Sequence, residues 1–255
     1  MKLIYGLIIA FGFLTRLPIA KKVNWNKENI SIAIPLFPVV GLVMGTLLYI
    51  IILLLKKTPL IGELNALIIL FTWLILTGGL HMDGLSDLVD ALSSNSDRNR
   101  TLEIMSDSHI GAFGVISIVM QLLSKYILLL GLINYNCNFL MSLIIPRLMA
   151  SYAIINYDTA KKNGFAAFFK SSVSRVHNIY TAIVGVFSFI IALIITKNMV
   201  INLAASLITI IFLLLFYHSI DKKLGGLTGD VYGASVEIGE SVYLSILFIL
   251  RLCQI

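Results

Sequence analysis

The sequence predicts an all-α fold, a polytopic bundle of transmembrane helices, on three observations. Hydrophobic residues make up 58% of the chain and charged residues only 13%, with a mean hydropathy of +0.96; a soluble domain carries about 25% charged residues. Several runs stay nearly uncharged for about 17 residues or more, the length a helix needs to cross a bilayer. Alternating apolar and polar residues in segments of about ten, the mark of a membrane barrel, are absent.

Taken in order, the elements begin with an apolar run at residues 3–14, too short to span comfortably and lacking a small-residue cleavage site before the basic residues that follow. It reads as a retained segment lying in the membrane interface, not a signal peptide. About seven spans follow, at 32–55, 64–80, 110–133, 139–156, 179–196, 199–217 and 242–255, the last being the shortest. No repeat, low-complexity tract or linker interrupts them, so residues 1–255 read as one integral-membrane domain. Cys137 and Cys253 have no CxxC spacing and no histidine cluster, and are read as incidental thiols.

The loops orient the bundle. With the N-terminus in the cytoplasm, segments 1–31, 81–109, 157–178 and 218–241 hold thirteen Lys and Arg, and the opposite segments hold three. By the positive-inside rule this predicts a multi-pass protein of the cell (cytoplasmic) membrane with those four segments inside. The net charge of +6 is therefore a topology signal, and nucleic acid is not expected as a partner.

Nine of the thirteen acids fall in two of these cytoplasmic segments. In GGLHMDGLSDLVDA (78–91), Asp83, Asp87 and Asp90 lie within about 60° of one another on a helix. Their neighbours Leu85, Leu88, Val89 and Leu92 are apolar, and nothing basic lies within seven residues on either side. Like charges at this spacing repel, a conflict that a bound cation removes. Asp97 and Glu103, set among Ser, Asn and Arg, are read simply as solvated. In GGLTGDVYGASVEIGE (225–240), Asp230, Glu237 and Glu240 repeat the pattern on one helical flank.

Glycines crowd both clusters: Gly78, Gly79 and Gly84 in the first, Gly225, Gly226, Gly229 and Gly233 in the second. Glycines at span ends are commonly turns or packing points, but they also let backbone amides approach a phosphate. Glycines beside carboxylates, twice on the same face, point to a metal-bridged phosphate site at the cytoplasmic helix ends, with Mg²⁺ as the expected ion. A cation transporter is the non-enzyme alternative. Transport needs ionisable groups near the midplane, where this reading finds Gln121, Lys125 and the Pro146–Arg147 pair but no acid. That favours an enzyme.

The two acidic motifs, with DSHIGAFG (107–114) between them and FLTRLP (13–18) ahead, resemble the cobalamin synthase family over essentially the whole chain. The pattern GG-H-x-DG-x-x-D-x-x-D is met by Gly78, Gly79, His81, Asp83, Gly84, Asp87 and Asp90. The pattern GG-x-TGD-x-x-GA-x-x-E-x-x-E is met by Gly225, Gly226, Thr228, Gly229, Asp230, Gly233, Ala234, Glu237 and Glu240. Departures are Ala91, where a glycine often follows the last aspartate, and His109, where Arg or Lys is common.

The resemblance implies an adenosylcobinamide-GDP ribazoletransferase, a transferase of cobalamin (vitamin B12) biosynthesis. The hydroxyl of α-ribazole, or of its 5′-phosphate, attacks adenosylcobinamide-GDP; GMP leaves and adenosylcobalamin or its 5′-phosphate forms, with Mg²⁺ required. It implies Asp83, Asp87, Asp90, Asp230, Glu237 and Glu240 as the metal-binding set, and Asp83, Asp87, Asp230 and His81 as catalytic. His81 is read either as general base or as a structural hydrogen-bonder. Gly78, Gly79, Asp107, His109, Arg147, Gly226, Thr228 and Gly229 are the expected substrate contacts, with a structural role as the alternative for Arg147. Self-association into a homo-oligomer is left open. A Mg²⁺-dependent phosphotransferase of the CDP-alcohol type is a second enzyme class, although its Ala-Arg pair and longer second half are missing.

Overall fold

A computed structural model describes residues 1–17, 23–133, 139–196 and 199–252; Cys137 and Cys253 lie outside them. Among the described residues there are twelve α-helices and no strand, only a single bridge pairing Thr159 with Leu227. The apolar N-terminal run forms α1 (Lys2–Leu14), which packs on α2 (Lys27–Ala33). A 3-10 turn at Ile34–Leu36 joins α2 to α3 (Phe37–Leu55), and together they make one apolar stretch of 29 residues.

The core is built round α8 (Leu140–Asn156), which packs against α3, α10 (His177–Thr196), α11 (Met199–Leu224) and α12 (Gly229–Leu252). Gly41 and Gly45 of α3, spaced as G-x-x-x-G, make that approach possible. A Cβ at Gly41 would stand 2.3 Å from the Leu143 carbonyl oxygen, and one at Gly45 3.2 Å from the Leu140 Cα. Without a hydrophobic drive between helices in lipid, such close backbone packing is what holds them together.

Five stretches are long and apolar enough to cross a membrane: Lys27–Leu55, α7 (Ala112–Ile133), α10, α11 and α12. A sixth is reached if α4 (Gly62–Thr77) is counted with its bent continuation α5 (Leu80–Ser93), and α8, at 17 residues, is shorter. The count of about seven is thus approximate.

The clearest departure is at the C-terminal end. Residues 218–241 were expected as a loop and 242–255 as a short span; instead α11 runs to Leu224 and α12 is one 24-residue helix from Gly229. Glu237 and Glu240 lie within this helix, buried against Lys125 and Arg147.

Candidate active site

Gly78 and Gly79 separate α4 from α5, both with left-handed backbone (φ +62° and +70°) that L side chains rarely adopt. The chain turns by 86° there. This lays α5 along one end of the bundle, outside the spanning segments, with its apolar residues Met82, Leu85 and Leu88 buried. A second pair of such residues, Gly225 (φ +64°) and Gly226 (φ +139°), turns α11 back into α12. At Gly226 a Cβ would lie 2.5 Å from the Ala160 nitrogen, so the glycine serves the packing of residues 157–160 against 225–228 and is not an open phosphate contact as expected. Arg98 secures the same junction, donating from Nε to the Leu224 carbonyl at 2.6 Å and from Nη2 to the Ala160 carbonyl at 3.0 Å.

α5 and α12 then cross at glycine. A Cβ at Gly84 would stand 2.7 Å from the Asp230 carbonyl oxygen, and one at Gly233 3.4 Å from the His81 Cα. The crossing brings Asp83, Asp87 and Asp230 to one face: Asp83 exposed, the other two half-buried. Among the described residues none of the three has an ion pair. Burial first, and then the charges of Asp83, Asp230 and Asp90, push the Asp87 carboxyl up to about 6. Segments remote in sequence thus feel one another's charge. Thr228 Oγ1 donates to Asp230 Oδ2 at 3.3 Å and accepts from the Val231 N–H at 3.4 Å, ordering the first turn of α12. Nothing lies within 4 Å of a Cβ built at Gly79 or Gly229, which leaves room beside these carboxylates.

Other expected site residues stand elsewhere. Asp90 accepts from the Gly111 N–H (2.7 Å to Oδ2) and the Gly114 N–H (2.8 Å to Oδ1), so it caps α7 and both oxygens are taken. Side chains at those glycines would collide with it, at 2.4 and 2.2 Å, which explains the spacing in DSHIGAFG. Asp107 and His109 pair with each other at 2.7 Å on the exposed surface, at the edge of a shallow pocket shared with Asp90. Gly78 packs on the Arg16 side chain.

Glu237 and Glu240 are corrected most. Neither reaches the aspartates: Lys125 Nζ donates to Glu237 Oε2 at 2.6 Å and to Glu240 Oε2 at 2.5 Å, and Arg147 Nη1 to Glu240 Oε1 at 2.7 Å. Gln121 adds a bond to Glu237 Oε2 at 3.1 Å, and the Lys125 ammonium sits 4.8 Å from the centre of the Trp73 ring. All four charged groups are buried, two acids against two bases. Arg147 is thus an interior ion-pair partner through Nη1, while its Nε and Nη2 are buried with no hydrogen-bond partner among the described residues, and acids do lie deep in a span. The signal in the sequence was Lys125 and Arg147 inside apolar spans, bases that need acidic partners there.

His81, in the first turn of α5, is buried, and its Nδ1 has no hydrogen-bond partner among the described residues. Burial pushes its pKa down to about 3, so the ring is neutral at working pH. That suits a hydrogen-bonding role better than proton uptake.

Among the described residues no three His, Cys, Asp or Glu side chains stand close enough to enclose a metal ion. Mg²⁺ asks for less, taking one or two carboxylates and completing its shell with water and phosphate oxygens. Asp83, Asp87 and Asp230, none of them in an ion pair among the described residues, fit that demand; Glu237 and Glu240 are bonded to buried cations, and Asp90 accepts from the Gly111 and Gly114 amides.

Fold and site together define a class: a helical membrane-protein bundle that gathers free aspartates at one end and keeps its paired charges inside. Within that class, the chain belongs to the Cobalamin-5-phosphate synthase family, whose model matches residues 6–248. Similar proteins include the adenosylcobinamide-GDP ribazoletransferase of Clostridium botulinum (strain Okra / Type B1), 35% identical over 95% of this chain and 97% of its own. Those of Desulfitobacterium hafniense (34%, over 92% and 93%) and Clostridium tetani (30%, over 98% and 100%) carry the same name. No solved structure matches.

Proposed function

We propose that this chain is an adenosylcobinamide-GDP ribazoletransferase, the activity for which its relatives are named. In the reaction the 3′-oxygen of α-ribazole, or of its 5′-phosphate, forms a bond to the cobinamide-linked phosphorus. The bond from that phosphorus to GMP breaks, and the hydroxyl proton passes to a base.

The observation that carries the reading is the crossing of α5 and α12 at Gly84, which sets Asp230 beside Asp83 and Asp87. A pyrophosphate brings charge that such carboxylates repel unless a cation lies between them. Asp83, Asp87 and Asp230 would hold Mg²⁺, which when bound neutralises phosphate charge. The chain's own part is to position: open backbone at Gly79 and Gly229 admits the phosphates, and the fixed helix crossing orients the attacking hydroxyl. The charge asymmetry of the loops supports a cytoplasmic position for this end of the bundle, where nucleotide substrates are available. A transporter is not favoured, because the interior acids are fully paired with Lys125 and Arg147.

Purified protein in detergent, given adenosylcobinamide-GDP, α-ribazole and Mg²⁺, should release GMP, and chelation should stop it. No GMP with all components present would overturn the activity; undiminished GMP after chelation would overturn the metal assignment.

A further inference from the structure

Beside the aspartates lies a second feature that the phosphate chemistry leaves unused. A cavity of about 350 Å3 opens between the end of α1, the segment before α2, α9 (Phe165–Ser172) and the first turns of α5 and α12. Aromatic rings dominate its wall: Phe13, Trp25, Phe165, Phe169 and Tyr232. Phe13 and Phe169 meet edge to face at 4.7 Å in this wall. Two polar atoms in this wall are unsatisfied: His81 Nδ1 and Tyr232 Oη are buried and have no hydrogen-bond partner among the described residues. Buried imidazoles and phenols are nearly always bonded, so such a pair signals a missing ligand.

Resting on the function proposed above, we infer that this cavity is the subsite for the planar base of the ribazole-type nucleoside, held by packing against the aromatic wall and by a hydrogen bond from Tyr232, with His81 left to meet the ribose. Size excludes the corrinoid, whose macrocycle is far larger than a bicyclic base. Polarity decides between the two bases in the reaction. Guanine presents several donors and acceptors along its edges, and a largely apolar wall whose polar side chains are His81, Tyr232 and the exposed Arg16 would strand most of them, at the cost that makes hydrogen-bonding sites selective. A benzimidazole has one ring nitrogen free to accept, which the Tyr232 hydroxyl supplies. Position agrees: Gly229, Gly233 and His81 form the wall next to Asp230 and Asp83. A base in the cavity therefore puts its ribose at the carboxylate face, where the attacking hydroxyl is needed.

The test separates this inference from the activity it rests on. Tyr232→Phe removes only the hydroxyl, and Ala166→Trp fills the cavity from α9. Loss of the hydrogen bond in Tyr232→Phe should raise the KM for α-ribazole about tenfold while that for adenosylcobinamide-GDP stays within about twofold. Equilibrium dialysis of α-ribazole alone against the detergent-purified protein should show binding to wild type that Ala166→Trp abolishes. If the KM for adenosylcobinamide-GDP rises instead, guanine occupies the cavity and the inference is wrong. If neither KM moves, it is wrong as well, and the cavity is left to a lipid chain. Should Ala166→Trp fail to fold, Tyr232→Phe decides alone. Wild type that binds α-ribazole but never releases GMP would defeat the proposed activity and leave the subsite standing.

Discussion

Asp83 and Glu240 are both carboxylates in a chain with few charges, and their surroundings separate their roles. Asp83 is exposed and has no ion-pair partner among the described residues, whereas both oxygens of Glu240 receive hydrogen bonds from buried cations. Removing one member of a buried pair leaves the other charge uncompensated, at a cost of about 3–5 kcal/mol. Glu240→Ala should therefore lower the melting temperature sharply in detergent, and activity should fall because the fold does. Asp83→Asn and Asp87→Asn should melt like wild type and lose turnover on the order of 100-fold, the scale of removing one electrostatic contact at a reacting phosphate. A Glu240→Ala protein as stable as wild type but inactive would return Glu240 to the site. At this scale the sequence was legible enough to group Asp83 and Asp87, whose neighbours are apolar, with Asp230, which sits among glycines, and the fold sets the three at one helix crossing. The sequence was not legible for Asp90 or Glu237, whose partners Gly111, Gly114 and Lys125 are distant in sequence.

Helices α5 and α12 carry the site only because they touch at Gly84, a position with no functional group of its own. A methyl there would meet the Asp230 carbonyl at 2.7 Å, and backbone on both sides cannot give as a flexible side chain would. Gly84→Ala should push the helices apart and move Asp230 away from Asp83 and Asp87. A misplacement of about 1 Å can cost on the order of 100-fold in rate. Gly62→Ala, where the nearest neighbour is 3.7 Å away, should behave like wild type and serves as the control for helix propensity. Steady-state GMP release for the two variants, with melting curves alongside, makes the comparison. Equal activity would mean that the crossing does not set the site. Apolar runs made most of these elements readable beforehand. α12 was not, since hydropathy treats a glutamate alike whether it meets water or a buried lysine.

Across the whole molecule, contacts between remote segments collect its basic stretches at one end. Arg98 bonds to the carbonyls of Leu224 and Ala160, and Thr159 pairs with Leu227, so the segments that follow α5, α8 and α11 meet. Lys56 and Lys57 follow α3 instead, after its passage through the bundle. The thirteen-to-three division of basic residues in the sequence predicts that this end faces the cytoplasm. This can be read with single cysteines at Ser94, Lys223 and Lys57, all exposed, in a protein with Cys137 and Cys253 replaced by serine. Ser235, although it lies in the second motif, is unsuitable because it is buried against Tyr217. In intact cells a membrane-impermeant thiol reagent should label Lys57→Cys, and should reach Ser94→Cys and Lys223→Cys only after permeabilisation. The opposite pattern would invert the protein and put its aspartates outside, away from nucleotide substrates. Different behaviour at Ser94→Cys and Lys223→Cys would be more damaging, because Arg98 ties their segments together and no membrane can pass between them.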